Sequence, residues 1–147
     1  MKISFDLDGV ITDGANWFFN LCEAIGNDNK QVIAARARYY SNCKLKYHPS
    51  LFMSKDDKGF ILTARKTEAT TITGAWLDRY GIRLPVYYID GADNIDWRDY
   101  AKASIEVAKQ KAKEIKRLRI EVHFDNNRFI VEELRKLVIE TKIILIG

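Results

Sequence analysis

The chain has 147 residues, of which 47% are hydrophobic and 30% are charged, so we predict one globular domain with a substantial core over residues 1–147. No apolar run approaches the roughly 20 residues that span a bilayer, and Met1 nearly begins a strand, so we expect neither a membrane segment nor a signal peptide. The only cysteines, Cys22 and Cys43, have no zinc or redox spacing. We therefore expect a cytoplasmic protein.

The charge of the chain is mildly basic, with a net charge of +4 and a pI near 9.0. The segment from Lys30 to Tyr47 holds five basic residues and no acid, and the segment from Arg98 to Arg119 holds eight basic residues against three acids. Basic surfaces favour anionic ligands, so this distribution indicates a phosphate-bearing partner.

The predicted elements alternate between strands and helices along the chain. The first strand covers Ile3 to Phe5, and helix follows from Ala15 to Ser41 with a break at Gly26-Asn27-Asp28. Further strands are predicted over Gly59–Thr63, Pro85–Ile89, Ile120–Phe124 and Lys142–Ile146. Further helices are predicted over Lys66–Tyr80, Asp99–Leu118 and Asn127–Val138. This alternation predicts an α/β fold with a doubly wound, mostly parallel five-stranded sheet.

Polar residues follow each of the first four predicted strands. They are Asp6 and Asp8, then Thr63-Ala64-Arg65, then Asp90, then Asp125-Asn126-Asn127. Parallel α/β sheets bind ligands at the carboxyl ends of their strands. The sequence therefore predicts a functional site at this edge.

The residue types at this edge indicate phosphoryl-transfer chemistry. Aspartate oxygens are hard ligands, so Mg²⁺ is the expected cation. One carboxylate can attack phosphorus, and a second, two residues on, can handle the proton of the leaving oxygen. Thr63 offers a hydroxyl and a backbone N–H to the phosphoryl oxygens, and a lysine should supply positive charge. His123 lies inside a strand and is interpreted as a core residue.

Three segments resemble the motifs of the haloacid-dehalogenase-like phosphohydrolase superfamily. They are Asp6-Leu7-Asp8-Gly9-Val10-Ile11-Thr12-Asp13, Phe60-Ile61-Leu62-Thr63, and Val122-His123-Phe124-Asp125-Asn126. The resemblance covers essentially the whole chain and implies a Rossmann-like core. It also implies that Asp6 is the nucleophile and Asp8 the general acid/base. Mg²⁺ would be bound by Asp6, the backbone carbonyl of Asp8, and Asp125, while Thr63 would hold the phosphate.

The superfamily also uses a lysine, and the helix before the fourth strand offers several. That strand spans about 16 Å at roughly 3.3 Å per residue, and a helix rising about 1.5 Å per residue needs ten or eleven residues to climb as far. Counting back from Leu118 reaches Lys111 and Lys109. Only Lys111 shares the sheet-facing stripe of the helix, so Lys111 is the catalytic and phosphate-binding choice and Lys109 remains in reserve.

Two residues at the predicted edge bear on substrate binding. Many members of the superfamily carry an acid where this chain has Asn126, which removes one ligand charge but can still orient a water, so we place Asn126 among the substrate-binding residues. Arg65 could grip a phosphate oxygen bidentately. Its context, Leu62-Thr63-Ala64-Arg65, resembles the nucleotidase-like and polynucleotide 3′-phosphatase-like branches.

Residues 15–58 are mostly helical, and the resemblance makes them a small cap or no cap. The open site that this implies suits a large substrate or a partner subunit, including a second copy of the chain. Within Arg36 to Pro49, basic residues alternate with Tyr39, Tyr40 and Tyr47, a pattern that can bind phosphates and bases. The alternative is that these tyrosines are simply the packing face of a helix.

The sequence thus predicts a hydrolase of phosphate monoesters that depends on Mg²⁺ and forms an aspartyl-phosphate. The favoured substrate is a nucleotide or a nucleic-acid end. The alternatives are a phosphotransferase, or a non-catalytic nucleic-acid-binding or scaffold protein on the same fold.

Overall fold

A five-stranded parallel sheet forms the centre of the protein. The structure is a computed structural model that describes residues 1–13, 16–26 and 29–147. The strands are β1 (Lys2–Phe5), β2 (Lys58–Thr63), β3 (Val86–Tyr88), β4 (Val122–Asp125) and β5 (Lys142–Leu145). Their order across the sheet is β3-β2-β1-β4-β5, and every described pairing is parallel. The predicted doubly wound α/β sheet is confirmed.

Five α-helices accompany the sheet in the described ranges: α1 (Asn16–Ile25), α2 (Lys30–Asn42), α3 (Thr70–Arg79), α4 (Tyr100–Leu118) and α5 (Arg128–Leu137). Helix α3 begins later than Lys66, because residues Thr67–Ala69 form a separate 3₁₀ turn. The predicted helix start at Ala15, and Asn27 and Asp28 of the predicted break, lie outside the described residues.

The helices cover both faces of the sheet and build two apolar layers. Successive strand residues point to opposite faces, so Ile61 packs into one layer and its neighbour Leu62 into the other. Side chains from α1, α2 and α3 complete the first layer, and side chains from α4 and α5 complete the second. The site at the strand ends is therefore held between two packed layers.

The loop after β1 continues the sheet for one residue and then turns sharply. The backbone N–H of Asp6 donates to the carbonyl of Phe124 in β4 at 2.8 Å. The N–H groups of Ile11 and Thr12 both donate to the Leu7 carbonyl. Gly9 has a φ of +92°, a conformation that other residues rarely adopt. These bonds fix Asp6 and Asp8 against the ends of β1 and β4.

The segment between β1 and β2 joins the same apolar layer as the sheet. Val32 and Ala35 of α2 are buried there, and the indole N–H of Trp76 in α3 donates to the carbonyl of Cys43 at 2.8 Å. Helix α2 is therefore anchored to the core. None of the helices in the described part of the chain combines the length and apolarity needed to cross a membrane.

Candidate active site

The carboxyl ends of the strands meet around a cavity of about 60 Å³. The predicted site residues that line the cavity are Asp6, Asp8, Thr63, Arg65, Lys111 and Asn126. Asp125 is fully buried directly beside them. Asp90, at the end of β3, is exposed instead. The residues predicted to lie together at the carboxyl ends of the strands therefore do so, except for Asp90.

Lys111 lies between the two aspartates that end β1 and β4. Its ammonium donates to Asp6 Oδ1 at 2.8 Å and to Asp125 Oδ2 at 2.7 Å. Only 1% of Lys111 is exposed, whereas Lys109 points to solvent. The heptad-like stripe of α4 places Lys111 on the sheet side, and the length of the helix brings it to the strand ends.

The three buried charges strongly perturb one another. Burial raises the pKa of Asp6, and although Lys111 opposes this, the negative charge of Asp125 adds to it. Burial acts in the same direction on Asp125, but Lys111 and His123 outweigh it and hold the pKa of Asp125 below its usual value. The two carboxylates also outweigh the burial of Lys111 and raise its pKa. Lys111 is therefore a cation between an ionised Asp125 and an Asp6 whose pKa is raised.

Asp125 is oriented by its neighbours on both oxygens. The backbone N–H of Asn127 donates to Oδ1 at 3.0 Å, and His123 Nε2 lies 3.3 Å from Oδ2. The other ring nitrogen of His123 bonds the Ser4 hydroxyl at 2.7 Å. Burial lowers the pKa of His123, so a neutral ring donates to Asp125 and accepts from Ser4. His123 is a core residue, as the sequence suggested, and it also positions Asp125.

Arg65 has a partner that the sequence did not predict. Its Nε and one terminal nitrogen donate to the two oxygens of Asp8 at 2.9 and 2.6 Å. A further nitrogen donates to Thr73 at 3.0 Å, and the residue is 2% exposed. The bidentate geometry that we expected Arg65 to offer to a phosphate is therefore directed at Asp8. In the structure these two nitrogens hold the proposed acid/base, and a role of Arg65 in binding a phosphate stays a prediction.

Two tyrosines of α2 complete the surroundings of this ion pair. The Tyr39 hydroxyl donates to Asp8 at 3.1 Å and bonds the Thr12 hydroxyl at 2.7 Å. The ring of Tyr40 lies against the Arg65 guanidinium, with 3.8 Å between the ring centre and Cζ. Both tyrosines are 4% exposed, so they form a packing face and not the base-binding surface considered for this stretch.

Thr63 and Asn126 are held by contacts with the loops. The hydroxyl of Thr63 accepts a hydrogen bond from the backbone N–H of Arg65 at 3.1 Å. The carboxamide of Asn126 lies over Gly9 so closely that a Cβ at that glycine would clash with Asn126 Nδ2. The glycine thus leaves room for Asn126 at the cavity wall.

The fold implies a bound Mg²⁺, and the carboxylates of the site can be tested as its ligands. Within the described ranges, no cluster of three His, Cys, Asp or Glu side chains is arranged to hold a metal ion. The carboxylate of Asp8 is taken by Arg65, which leaves Asp6 and Asp125. Mg²⁺ usually takes one or two carboxylates and keeps several waters. These two acids, opposed by the single charge of Lys111, fit that requirement.

The sequence did not predict which residues hold the other site residues in position. Tyr39, Tyr40 and Asn127 each contact a predicted site residue or its partner. Asn127 lies two residues after Asp125 and could have been recognised as the cap of a helix, since its side chain accepts from the N–H groups of Phe129 and Ile130. Nothing in the sequence pairs the tyrosines with Asp8.

The chain was compared with known proteins by family, by sequence and by fold. No protein-family profile matches it, and no curated protein matches it. A chain in the structure of the Pnkp1/Rnl/Hen1 RNA repair complex aligns over 99% of this chain, with 17% identity and a TM-score of 0.51. This chain spans 42% of the length of that one.

A HAD domain of the effector protein Lem4 from Legionella pneumophila aligns over 99% of this chain and 84% of its own, with 13% identity and a TM-score of 0.48. At these identities the comparisons concern the fold. The parallel sheet, with the aspartates of β1 and β4 at one edge, is the core that the motif resemblance implies. The chain has a haloacid-dehalogenase-like fold.

Proposed function

We propose that this protein is a Mg²⁺-dependent phosphomonoesterase that acts through an aspartyl-phosphate on Asp6. The observation that carries the proposal is the buried bridge from Lys111 to Asp6 and Asp125. A buried ion triad is costly unless each charge is paired. This triad lies at the carboxyl ends of the strands, where α/β sheets bind ligands, so a role in catalysis explains why the chain keeps these buried charges.

In the proposed reaction, an oxygen of Asp6 attacks phosphorus and the bond from phosphorus to the leaving oxygen breaks. Asp8 enters this step protonated, gives that proton to the leaving oxygen, and regains a proton from the water that hydrolyses the aspartyl-phosphate. Lys111 neutralises charge on the phosphoryl oxygens. An ammonium has three N–H donors, and its contacts with the two carboxylates use two of them.

Asp6, Asp125 and the backbone carbonyl of Asp8 would hold Mg²⁺, which supplies positive charge beside the phosphoryl oxygens. The favoured substrate is a nucleotide or a nucleic-acid terminal phosphate. The basic segments of α2 and α4 support an anionic substrate of this kind. The fold shared with a chain of an RNA repair complex is a reason to include phosphorylated oligonucleotides among the substrates tested.

The proposal is tested by phosphate release from p-nitrophenyl phosphate, nucleotides and phosphorylated oligonucleotides with Mg²⁺ present. We expect Asp6→Asn to lower the rate to background while circular dichroism remains native. We expect Lys111→Met to lower kcat by about 10²–10³-fold, as the loss of one preorganised charge does elsewhere. The matched control is Lys109→Met, which removes an exposed lysine from the same helix.

Two further results would contradict the proposal. Turnover that persists in the Asp6→Asn protein would exclude Asp6 as the nucleophile. Turnover that is indifferent to excess chelator would exclude the metal. A phosphorylated protein trapped from the wild type, and absent in Asp6→Asn, would support the covalent intermediate directly.

A further inference from the structure

A row of aromatic rings leads from the cavity to the protein surface. Trp97 and Tyr100 line the cavity that also holds Asp6 and Lys111. Phe129 follows on the far side of Tyr100 and is 44% exposed. The ring centroids are 5.7 Å apart for Trp97 and Tyr100 and 6.1 Å apart for Tyr100 and Phe129. Trp97 and Tyr100 are tilted by 44° and Tyr100 and Phe129 by 72°, so the row presents ring faces and ring edges in turn, starting in the cavity that holds the proposed nucleophile.

Tyr100 is fixed at the centre of this row. Its hydroxyl accepts a hydrogen bond from the Asn127 side chain at 3.0 Å, and the backbone N–H of Asn127 donates to Asp125 at 3.0 Å. Burial raises the pKa of Tyr100, and the charges of Asp125 and Asp6 raise it further. One asparagine therefore ties the ring to the buried carboxylate, so the ring keeps a set position relative to the reacting groups.

The cavity that holds Asp6 and Lys111 is partly open to solvent. Arg36 and Lys66 also line it, so its walls combine cationic side chains with the aromatic row. A substrate whose phosphoryl group lies beside Asp6 can extend along this wall, and the rings of Trp97 and Tyr100 are the aromatic part of it.

We propose that Trp97, Tyr100 and Phe129 form a stacking surface for the nucleobase of the substrate. The inference rests on the proposed function and narrows its substrate to a phosphorylated nucleoside. The base would lie against the rings while the phosphoryl group lies beside Asp6 and Lys111. Bases of any identity stack on aromatic side chains, so the surface would select for a base without selecting which base.

The test compares each phosphorylated nucleoside with the same sugar phosphate lacking the base, using kcat/KM for both. We expect the wild type to prefer the base-bearing substrate. Loss of one stacking ring typically weakens binding by about 5- to 150-fold, so Phe129→Ala and Tyr100→Leu should lower this preference by a factor in that range. Phe129→Trp and Tyr100→Phe keep a ring and should retain the preference.

Ile139→Ala is the control for loss of exposed apolar surface. Ile139 is 85% exposed and borders a groove at the other end of the sheet, with Arg119 and Glu121. We expect this variant to behave like the wild type with both substrates. Comparing kcat/KM for a phosphorylated oligonucleotide with that for a mononucleotide shows whether the stacking surface binds the base of a free nucleotide or that of a strand end.

The outcomes separate the two proposals. Equal losses on base-bearing and base-free substrates, or no preference in the wild type, would overturn the stacking surface and leave the phosphatase proposal intact. Absence of any Mg²⁺-dependent turnover would overturn both. A lost preference in Phe129→Ala that Phe129→Trp restores would support the inference.

Discussion

At the scale of single residues, the site is organised by pairs of opposite charge. Lys111 bridges the carboxylates of Asp6 and Asp125, and Arg65 binds both oxygens of Asp8. Each proposed catalytic carboxylate therefore has a buried cation beside it. Such cations hold the carboxylates in place without substrate, which lowers the reorganisation needed when the substrate binds.

The ion pair of Arg65 and Asp8 makes a prediction about stability. Arg65→Leu leaves the Asp8 carboxylate buried without its cation, and a broken buried pair typically costs about 3–5 kcal/mol. We expect the free energy of unfolding, from urea titration, to fall by that amount. The double variant Arg65→Leu/Asp8→Leu removes both charges and should recover much of the loss.

The matched control is Arg128→Leu, because Arg128 pairs with Glu132 on an exposed face of α5. We expect no measurable change there, since exposed ion pairs add little to stability. An Arg65→Leu protein as stable as the wild type would show that the Asp8 carboxylate is not held as the structure describes.

At the scale of elements, two helices end in the same left-handed conformation with different residues. Helix α3 is followed by Gly81 at a φ of +67°, and α4 is followed by Arg119 at a φ of +57°. Glycine adopts this conformation without steric cost, whereas other residues lose about 1–2 kcal/mol. The end of α4 is therefore strained at a position where glycine is the favoured residue.

These helix ends predict opposite effects for opposite substitutions. Arg119→Gly should raise the free energy of unfolding by about 0.5–1 kcal/mol, and Gly81→Ala should lower it by about 1 kcal/mol. Thermal denaturation by circular dichroism measures both. Equal shifts of the same sign would contradict the assignment of backbone strain to Arg119.

Strand ends and helix periodicity explain which parts of the site were predictable. Asp6, Thr63 and Asp125 lie together because parallel strands bring their carboxyl ends to one edge of the sheet, and this does not depend on the conformation of the loops. Lys111 was placed by helix rise and the stripe of buried residues on α4. The partner of Arg65 depends on the side-chain direction at one position, and the tyrosines of α2 reach Asp8 only through tertiary packing. Neither is encoded in a local pattern.

At the scale of the whole molecule, both cysteines belong to one apolar layer. Cys22 in α1 and Cys43 after α2 are free thiols, 1% and 7% exposed. Burial raises the pKa of both and brings that of Cys22 to about 11. The layer also holds residues of β1, β2 and β4, so we expect both thiols to become fully exposed only when this layer opens, although Cys22 also borders the site cavity.

Thiol labelling should therefore report global unfolding. We expect a thiol-specific reagent in excess to label neither cysteine readily in the native protein. Both should become labelled in urea at the midpoint measured by circular dichroism. Early labelling of Cys43 would show that its surroundings open independently of the sheet, whereas early labelling of Cys22 alone would show that the reagent enters through the site cavity.

The contact of Tyr39 with Asp8 connects the segment between β1 and β2 directly to the proposed chemistry. A segment between two strands can ordinarily be exchanged or lengthened without touching the reacting groups. Here α2 supplies the hydroxyl on Asp8 and the ring on Arg65. An engineer who grafts a different segment to change specificity must therefore keep these two adjacent tyrosines, or redesign the support of the proposed acid/base at the same time.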